Sequence, residues 1–517
     1  MAGGIFGRMR EWLFGRDLSQ AQQSHAPEDW RPMQTGQRET VRRWDSAQTH
    51  RLNKARWASA NNAQHINADL ATSLKTLRAR CVYEAFNNPW VEGVIRTHSI
   101  DVVTPSGPTL VVESSNENYN KRFKAAWEEW WSAPDIAREL TGVDFMRRWN
   151  AVRWTKGPIF AQFANDPDVT SSDLVSLRIR DIDPDRLDTP PSLLAREDVA
   201  FGVQRDLKTG RPTKFYVEKT NQRSTNRYIA PKFDDIPAED ALFAFLSLEA
   251  DQATGFPALA SCLEEIGQLR DYDTEVLDAA RQFANNAMAL YTEQPEFLAK
   301  AGISLPTGTV ETKRGTMKYI HPGYKPMALN STQPAANYKE FRFEKLRSLG
   351  RPVSMPLLLI LLSAEESNFS QSRIDVNVFY ERGLACEREW YSSHVLNPIR
   401  RRFAQEMQLV QRRGQFVLPP APLDLKFSWH WERMPQADEV KHLQAQILRR
   451  QLGTSTWSHD LAEAGIDRDA MKSTIARDQV DLESIGINPL AGDASVVADI
   501  VAANDASNNA TQTAEAT

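Results

Sequence analysis

Between Gly255 and Gln411 apolar positions return every third or fourth residue in three stretches, separated by a strand-rich insert and one polar loop. After Pro257, the residues Leu259, Leu263, Ile266, Leu269, Tyr272, Val276, Ala280, Phe283, Ala287 and Leu290 trace one helix face. At 1.5 Å per residue the spacing predicts a rod of roughly 50 Å. Few single-domain cores need such a rod, and its other face carries Glu265, Arg270, Asp271, Glu275, Asp278 and Arg281. Packing against neighbouring copies would use both faces. The insert alternates over Gly308–Thr312 and Met317–Ile320 around a turn at Lys313-Arg-Gly315, which predicts two strands. Tyr338, Phe341, Lys345, Leu346 and Leu349 restore a helical period that Gly350 and Pro352 end. Leu384, Tyr391, Val395, Ile399, Phe403, Met407 and Val410 trace a third helix, with Pro398 placed to kink it. The polar stretch Ser363-Ala-Glu-Glu-Ser-Asn-Phe-Ser-Gln-Ser-Arg-Ile-Asp375 stands between the second and third.

On the N-terminal side, the spacing of Leu70, Leu74, Leu77, Val82, Phe86, Val91, Val94 and Ile95 predicts helices, with a helix start at Asn88-Pro89 and a break at Thr104-Pro-Ser-Gly107. Residues 119–163 read as aromatic helices, and their tryptophans Trp127, Trp130, Trp131, Trp149 and Trp154 fit a packed core better than a base-stacking platform. From Leu174 to Glu249 the period shifts to alternation, predicting a small sheet with a hairpin, Phe201–Leu207 and Lys214–Glu218, around Lys208-Thr-Gly-Arg-Pro212. Gly453 to Glu483 reads as a compact helical pair. The first 55 residues form an expected arm with scattered Arg38, Arg42, Arg43, Arg51, Lys54 and Arg56. The aromatic-free tail after Pro489 is expected to be disordered.

Composition narrows the function. A chain of 517 residues exceeds one ordinary core and predicts several sub-domains. With 25% charged residues and a net charge of −5, it is not a simple basic binder held to nucleic acid by many phosphate contacts. Three widely spaced cysteines, Cys81, Cys262 and Cys386, fit neither a disulfide framework nor a zinc site, so a reducing cytoplasm is expected. The N-terminus, interrupted by Arg8, Arg10 and Glu11, lacks a signal-peptide core. The most apolar run, Val353 to Leu362, falls well short of the roughly 20 residues that span a bilayer, so no membrane is expected as a partner.

Candidate chemistry is sparse. Asp181-Ile-Asp-Pro-Asp185 starts with a calcium loop's spacing, but Arg186 replaces the glycine and Ser192 the glutamate that such a loop needs; a strand ending in an Asp-Pro turn fits better. His430 and Glu432 alternate on an expected strand without a third ligand, and a packed strand is preferred. There is no Gly-X-Ser-X-Gly and no phosphate-binding Gly-X-X-X-X-Gly-Lys-Ser/Thr, so hydrolysis of ATP belongs to another subunit. Leu461 to Lys472 imitates a helix-turn-helix, but Asp460, Glu463, Asp467, Asp469 and Asp478 surround Arg468 and Lys472, which disfavours groove reading. No catalytic residue, metal or cofactor is expected, and the chain reads as part of an assembly. The competing readings are a nucleic-acid hydrolase using the Trp-rich half with the Asp181 cluster, and a capsid scaffold or adaptor without a channel.

The element order, with Asn87-Asn-Pro-Trp90, Gly255-Phe-Pro-Ala-Leu259, Arg270-Asp-Tyr-Asp273, Ser367-Asn-Phe-Ser-Gln-Ser-Arg373 and the Trp431…Pro435…Asp438-Glu-Val-Lys441 run, resembles the lambda-type portal proteins of tailed phages over residues 65–480. The family's Asn-Tyr-Ser-Ser-Ala-Arg loop stands here with Phe369, Gln371 and Ser372 substituted, and its Gln-X-Arg-Gly is reduced to Gln252-Ala-Thr-Gly255. The resemblance implies a non-enzymatic, mixed α+β, helix-dominated portal fold, assembled as a dodecameric ring at the capsid vertex of the virion after assembly in the host cytoplasm. Double-stranded DNA would be packaged and ejected through its channel, with terminase, a head-tail adaptor and the major capsid protein as partners.

Mapped onto this chain, the resemblance implies an arm (1–59), a wing (60–255), stem helices (256–292 and 335–350) and a clip (293–334). A tunnel loop (351–372), a tunnel helix (373–411), a connector (412–435), a crown (436–485) and a tail (486–517) follow. The implied channel contacts are Ser363, Glu365, Glu366, Ser367, Asn368, Ser370, Gln371 and Arg373 in the tunnel loop. Lys339, Arg342, Lys345 and Arg347 in the stem either face DNA or form an inter-subunit salt-bridge surface with Glu340 and Glu344. Thr309, Glu311, Lys313, Arg314, Lys318 and Tyr319 are the clip's docking candidates.

Overall fold

The computed structural model describes residues 65–484, except 170–172, 220–231, 286–287, most of 292–337, 364–367, 413–414, 433–438 and a few positions between 458 and 467. The expected arm, the tail, the insert's two predicted strands and all six clip candidates lie outside the described residues.

Two helices open the fold, α1 (Ile66–Asn87) and α2 (Pro89–Val103). Asn88 starts α2 as its motif predicts: the side chain accepts a hydrogen bond from the Trp90 amide at 3.1 Å, and Pro89 occupies the first turn, where a missing N–H costs nothing. Strand β1 (Thr109–Glu113) is followed by α3 (Glu117–Trp131) and α4 (Gly142–Thr155), the latter closed by a reciprocal cap between Thr141 and Asp144. Tyr119, Phe123, Trp127, Trp130 and Trp131 fall on one face of α3, and all are buried. Trp127 stacks on Trp131 with centroids 5.1 Å apart, and Phe403 meets its ring edge-on at 5.4 Å. With Trp149 and Trp154 of α4 also buried, the five tryptophans are core, which removes the stacking platform that a nucleic-acid hydrolase would have used.

The alternating region resolves into two sheets where the sequence predicted one. Strands β2 (Ile159–Asn165), β3 (Leu177–Asp181), β4 (Val199–Ala200), β5 (Val203–Arg205), β6 (Pro212–Glu218), β7 (Phe233–Pro237) and β8 (Ala241–Ala244) pair as β3-β2-β8 and as β4-β5-β6-β7, all antiparallel. The β5–β6 hairpin turns at Lys208–Pro212 as predicted. Because strand neighbours point to opposite faces, β2 serves both sheets' interiors: Ile159, Ala161 and Phe163 enter the main core, and Phe160 enters a second core with Phe215, Val217 and Ile236. Alternation in one strand therefore joins two cores, which a linear reading merges into one.

After a short 3-10 turn at Ala258–Cys262 comes α5 (Leu263–Asn285), about 34 Å long and shorter than the predicted rod. Its last predicted turns belong instead to β9 (Met288–Tyr291), which pairs with β10 (Lys325–Ala328). Ala287, Met288 and Leu290 satisfy a helical and a strand period equally, and the ladder supplied by a distant segment decides the matter. Then follow α6 (Tyr338–Gly350), α7 (Leu357–Leu361) and a continuous helix α8 (369–409) about 60 Å long. Short strands β11 (Gln411–Arg412) and β12 (Gln415–Phe416) lead to β13 (Lys426–His430), which pairs with β1 across most of the chain. Helices α9 (Glu439–Gln451) and α10 (Arg468–Ser484) end the described chain. Between these two, after Gly453 with φ +70, Trp457, Asp460 and Leu461 are also helical, so helix precedes α10 within the predicted 453–483 span. Among the described residues no helix is long and apolar enough to cross a membrane.

Gly142 shows how tightly the aromatic core is closed. A Cβ there would lie 2.0 Å from Trp131 Cε2, and a ring packed against Trp127 and Trp130 has nowhere to move. Gly142→Ala is expected to destabilise the fold by about 1–3 kcal/mol, the usual cost of overpacking. A lowered urea midpoint would show it, and an unchanged midpoint would mean that the core yields at this point.

Candidate functional site

The surface on which the sequence places its candidates is built by α5, α6, α7 and the start of α8. Helix α5 is held on both sides by the residues of its own Arg270-Asp-Tyr-Asp273 motif. Arg270 donates to Glu84 of α1 at 2.7 Å, Asp273 accepts from the Tyr338 hydroxyl at 2.7 Å, and the Tyr272 ring lies 4.6 Å from Phe341 of α6. The four basic stem candidates all have partners within the chain. Lys345 forms an ion pair with Glu265 and donates to Gln268 at 2.8 Å, its side chain only 18% exposed. Arg347 pairs with Glu344 on its own helix and stays 55% exposed. Arg342 lies 4.9 Å over the Trp90 ring of α2, and Lys339 lies 5.5 Å from the Phe343 ring. Of the charges read as an inter-subunit or DNA-facing stripe, Lys345 and Arg342 thus join α6 to α5 and α2, while Arg347 and Lys339 contact their own helix.

The predicted loop 351–372 is mostly not loop. Arg351–Val353 forms a 3-10 turn, Pro356 leads into α7, and α8 begins at Phe369, so only 362–368 separates the helices. Pro352 and Pro356 stand where a chain enters a helical turn and no N–H is required, and the apolar run after them has a surface to cover. Ile360 of α7 packs where Gly350 leaves room: a Cβ at Gly350 would sit 2.5 Å from Ile360 Cδ1 and 2.4 Å from the Met355 carbonyl oxygen. Helix α7 ends in a left-handed cap at Leu362, φ 49, whose amide reaches the Leu358 carbonyl. Ser363, Asn368, Ser370, Gln371 and Arg373 are exposed, and the last three lie on α8; Glu365, Glu366 and Ser367 are outside the described residues. Between α6, this turn-rich segment and the start of α8 lies a cleft of about 560 Å³ with a mixed lining, apolar from Phe343, Met355, Leu357 and Leu361 and polar from Arg347, Arg351, Gln371 and Asp375.

What fixes that surface in place is the far part of α8. Two π segments, Phe379–Leu384 and Ser392–Leu396, interrupt its α-helical pitch, and the second sits directly before Pro398, where a wider turn accommodates a residue that cannot donate. The helix thus runs on through Pro398, and its pitch changes just before the point where the sequence placed a kink. Between the π segments, buried Arg388 donates to the last carbonyls of α2, Val102 at 3.0 Å and Asp101 at 2.8 Å, and to Glu432 at 2.9 Å. A cation at a helix C-terminus also complements the dipole. Beside it, Glu387 pairs with Arg153 of α4, whose guanidinium lies 4.1 Å over the Trp390 ring. Burial alone would raise Glu387, but Arg153 holds it below the ordinary carboxylate range. Tyr391 donates to Asn150 at 3.4 Å, and Asn150 meets His98 Nδ1 at 2.9 Å. Arg388 was not singled out in the sequence, although its place on the apolar stripe between Leu384 and Tyr391 marks it as a charge turned inward.

The remaining candidates fall into structural roles. Asp181 accepts from Trp149 Nε1 at 2.9 Å, with burial pushing its carboxyl upward. Asp183 binds Lys156 at 2.6 Å and caps a 3-10 turn, and Asp185 takes Lys156 at 2.7 Å and Arg78 at 3.2 Å. These carboxylates neutralise two inward-facing cations in an Asp-Pro turn. His430 ends β13, and Glu432, beyond the strand, accepts from Ser106 at 2.7 Å, so the two do not share a strand face. Arg468 begins α10, whereas most of 462–467 lies outside the described residues.

His98 gives this anchorage a pH signature. Burial pushes its imidazole down to about 4, so it is neutral in the fold, while an unfolded chain takes up the proton below about pH 6.5. The unfolded state then binds more protons, and stability present above pH 6.5 is lost as the pH falls toward 4. Asp101, raised by burial to about 6, works in the opposite sense below that pH. His98→Gln is therefore expected to lose roughly 2 kcal/mol less than the wild type between pH 7 and 5. Urea unfolding at both pH values measures this, and equal losses in the two proteins would count against a neutral buried imidazole.

Comparison with known proteins adds the following. The model of the family described as phage portal protein, lambda family, matches residues 50–385. No curated protein matches the chain. Among solved structures, the neck of a native gene transfer agent particle computed with C12 symmetry aligns at 12% identity and a TM-score of 0.42, covering 77% of this chain and 94% of that one. An HK97 family phage portal protein from Corynebacterium diphtheriae aligns at 10% identity and a TM-score of 0.30, covering 67% and 94%.

Proposed function

Because this chain belongs to the lambda family of phage portal proteins, we propose that twelve copies close into a ring at one capsid vertex, through which double-stranded DNA is packaged, retained and ejected. The observation that carries this reading is the family match itself, which runs from before α1 into the middle of α8 and so takes in every element of the candidate surface. The family is structural and not enzymatic. In the ring, residues 60–255 form the wing, α5 and α6 the stem, the segment between them the clip, and α9 with α10 the crown. Terminase and then a head-tail adaptor dock at the clip, through Thr309, Glu311, Lys313, Arg314, Lys318 and Tyr319, and the major capsid protein surrounds the wing. Assembly takes place in the host cytoplasm before the ring is enclosed in the virion.

Physical chemistry supports the channel role of the α7–α8 junction. Duplex DNA carries one charge per roughly 1.7 Å of axis, so a lining that gripped phosphates would stall a moving duplex. Ser363, Asn368, Ser370 and Gln371 offer hydroxyls and amides suited to water-mediated contact blind to sequence, as would Ser367, while Glu365 and Glu366 repel. Arg373, exposed near the start of α8, is the one basic side chain among the implied tunnel-loop contacts and the one suited to hold a phosphate. The stem bases contribute less than their number suggests, since Lys345 and Arg342 are committed to partners in the chain.

Purified protein is expected to sediment as a large ring with an axial hole in negative-stain images; a stable monomer at high concentration would overturn the reading. Deleting Ala364 to Ser370 is expected to spare the ring and to impair DNA packaging or retention in particles. Loss of the ring on deletion would instead assign that segment to an interface.

A further inference from the structure

We propose that the prolyl segment Leu418–Leu423 is a rigid peg by which each copy docks into an aromatic-lined groove of the capsid shell around the wing. The inference rests on the ring reading above and names the surface with which that ring meets its shell.

The run Leu418-Pro-Pro-Ala-Pro-Leu423 lies between β12 and β13. Ring closure holds φ near −65° at Pro419, Pro420 and Pro422. A following proline also keeps Leu418, Pro419 and Ala421 extended. Every position from 418 to 422 is thereby biased to the polyproline II helix, and Pro419 to Pro422 belong to no helix or strand of the fold. Such a helix repeats every three residues, and burial follows that period. Pro419 and Pro422 lie half-buried against the subunit, whereas Pro420 and Leu423 are exposed, Leu423 completely. One edge rests on the subunit and the other is turned outward.

Both ends of the segment are fixed. Val417 donates its amide to the Val410 carbonyl, just past α8, at 3.1 Å and accepts from Arg122 of α3 at 3.3 Å, and Leu418 is buried. Beyond Leu423, Asp424 accepts from the Ser115 amide at 2.7 Å and from the Ser115 hydroxyl at 3.1 Å. A single exposed leucine is ordinary on a protein surface. A leucine on a proline-stiffened segment pinned at both ends is different, because little conformational freedom is left to lose on binding.

The chemistry of the outward edge selects its partner. Pro420, Ala421 and Leu423 carry no charge, so this edge has nothing with which to hold a phosphate, and DNA is not its ligand. A polyproline II backbone makes no internal hydrogen bonds, which leaves its carbonyls open to donors. The surface that matches is a groove of aromatic rings, where tyrosine or tryptophan both covers the prolines and donates to those carbonyls. Position commits the peg to the shell. Helix α8 is continuous for about 60 Å, and in the ring reading its start lines the channel beside the α5–α6 stem. The peg is tied to the opposite end of α8 and to the β1–α3 turn of the wing, remote from the channel. The component that surrounds the wing in that reading is the major capsid protein.

The test uses full-length rings and the purified major capsid protein of the same phage. In Leu423→Ser the urea midpoint and the ring fraction in sedimentation velocity should match the wild type, because the lost side chain touches nothing in the subunit. The affinity of immobilised rings for the capsid protein should fall roughly tenfold or more, the effect of no longer burying one leucine. Leu423→Met should keep most of the affinity. Pro420→Gly, which removes a ring and its stiffness, should weaken binding while leaving the ring fraction unchanged. Undiminished affinity in Leu423→Ser, or wild-type rings that bind no capsid protein, would overturn the peg and leave the ring intact. Loss of rings in Leu423→Ser would overturn it as well, by assigning the segment to a contact between copies. A wild type that never assembles would instead remove the ring reading on which the peg rests.

Discussion

Everything in this fold hangs on burying the second half of α8 against the aromatic face of α3 and the end of α2. Tyr391, Val395, Leu396, Ile399, Phe403 and Met407 are all buried, and Phe403 alone meets the rings of Phe123, Trp127 and Trp130. At roughly 25 cal/mol per Å² of apolar surface removed from water, such a cluster is the largest single source of stability available to the chain. Buried Arg388 adds direction to this adhesion by tying the helix to two carbonyls of α2. A helix fixed so firmly at one end carries its other end, with Ser370, Gln371 and Arg373, out to the surface.

The same economy governs charge. The chain carries a net charge of only −5, and several of its inward-facing cations are neutralised locally. Arg78 and Lys156 share the Asp183–Asp185 turn, Arg153 pairs with Glu387, and Lys345 pairs with Glu265. Breaking any of these would leave a charge in a poorly hydrated place, which is far more costly than losing an exposed pair. Of the exposed cations on the α6–α8 surface, Arg347, Arg351 and Arg373 lie around one cleft and one helix start.

How far the sequence could be read depended on whether local chemistry decided the outcome. Asn88-Pro89 started a helix because cap and ring geometry act within four residues, and the turn at Lys208–Pro212 closed its hairpin for the same reason. The tryptophans of α3 were read as core in preference to a stacking platform, and they are buried. The end of α5 was not legible, because Ala287 to Leu290 fit both periods until β10 arrived from some 35 residues away. The polar stretch before α8 looked like loop because its composition is that of loops; its second half is helical because the anchored helix behind it extends through Ser370 and Arg373. The π segments around Arg388 leave no local trace, since they answer to packing against α2 and α4.

By itself, then, the sequence determined the order of helices and strands, the aromatic core, the low net charge and the kinship with portal proteins, all properties set by periodicity, composition and short motifs. Tertiary structure alone decided where α5 stops, which charges are consumed inside the subunit, and that Leu362 stands strained and exposed at the end of α7. The physical reason is that these outcomes depend on partners distant in the chain, whose contacts outweigh the small local preferences that a linear reading can weigh.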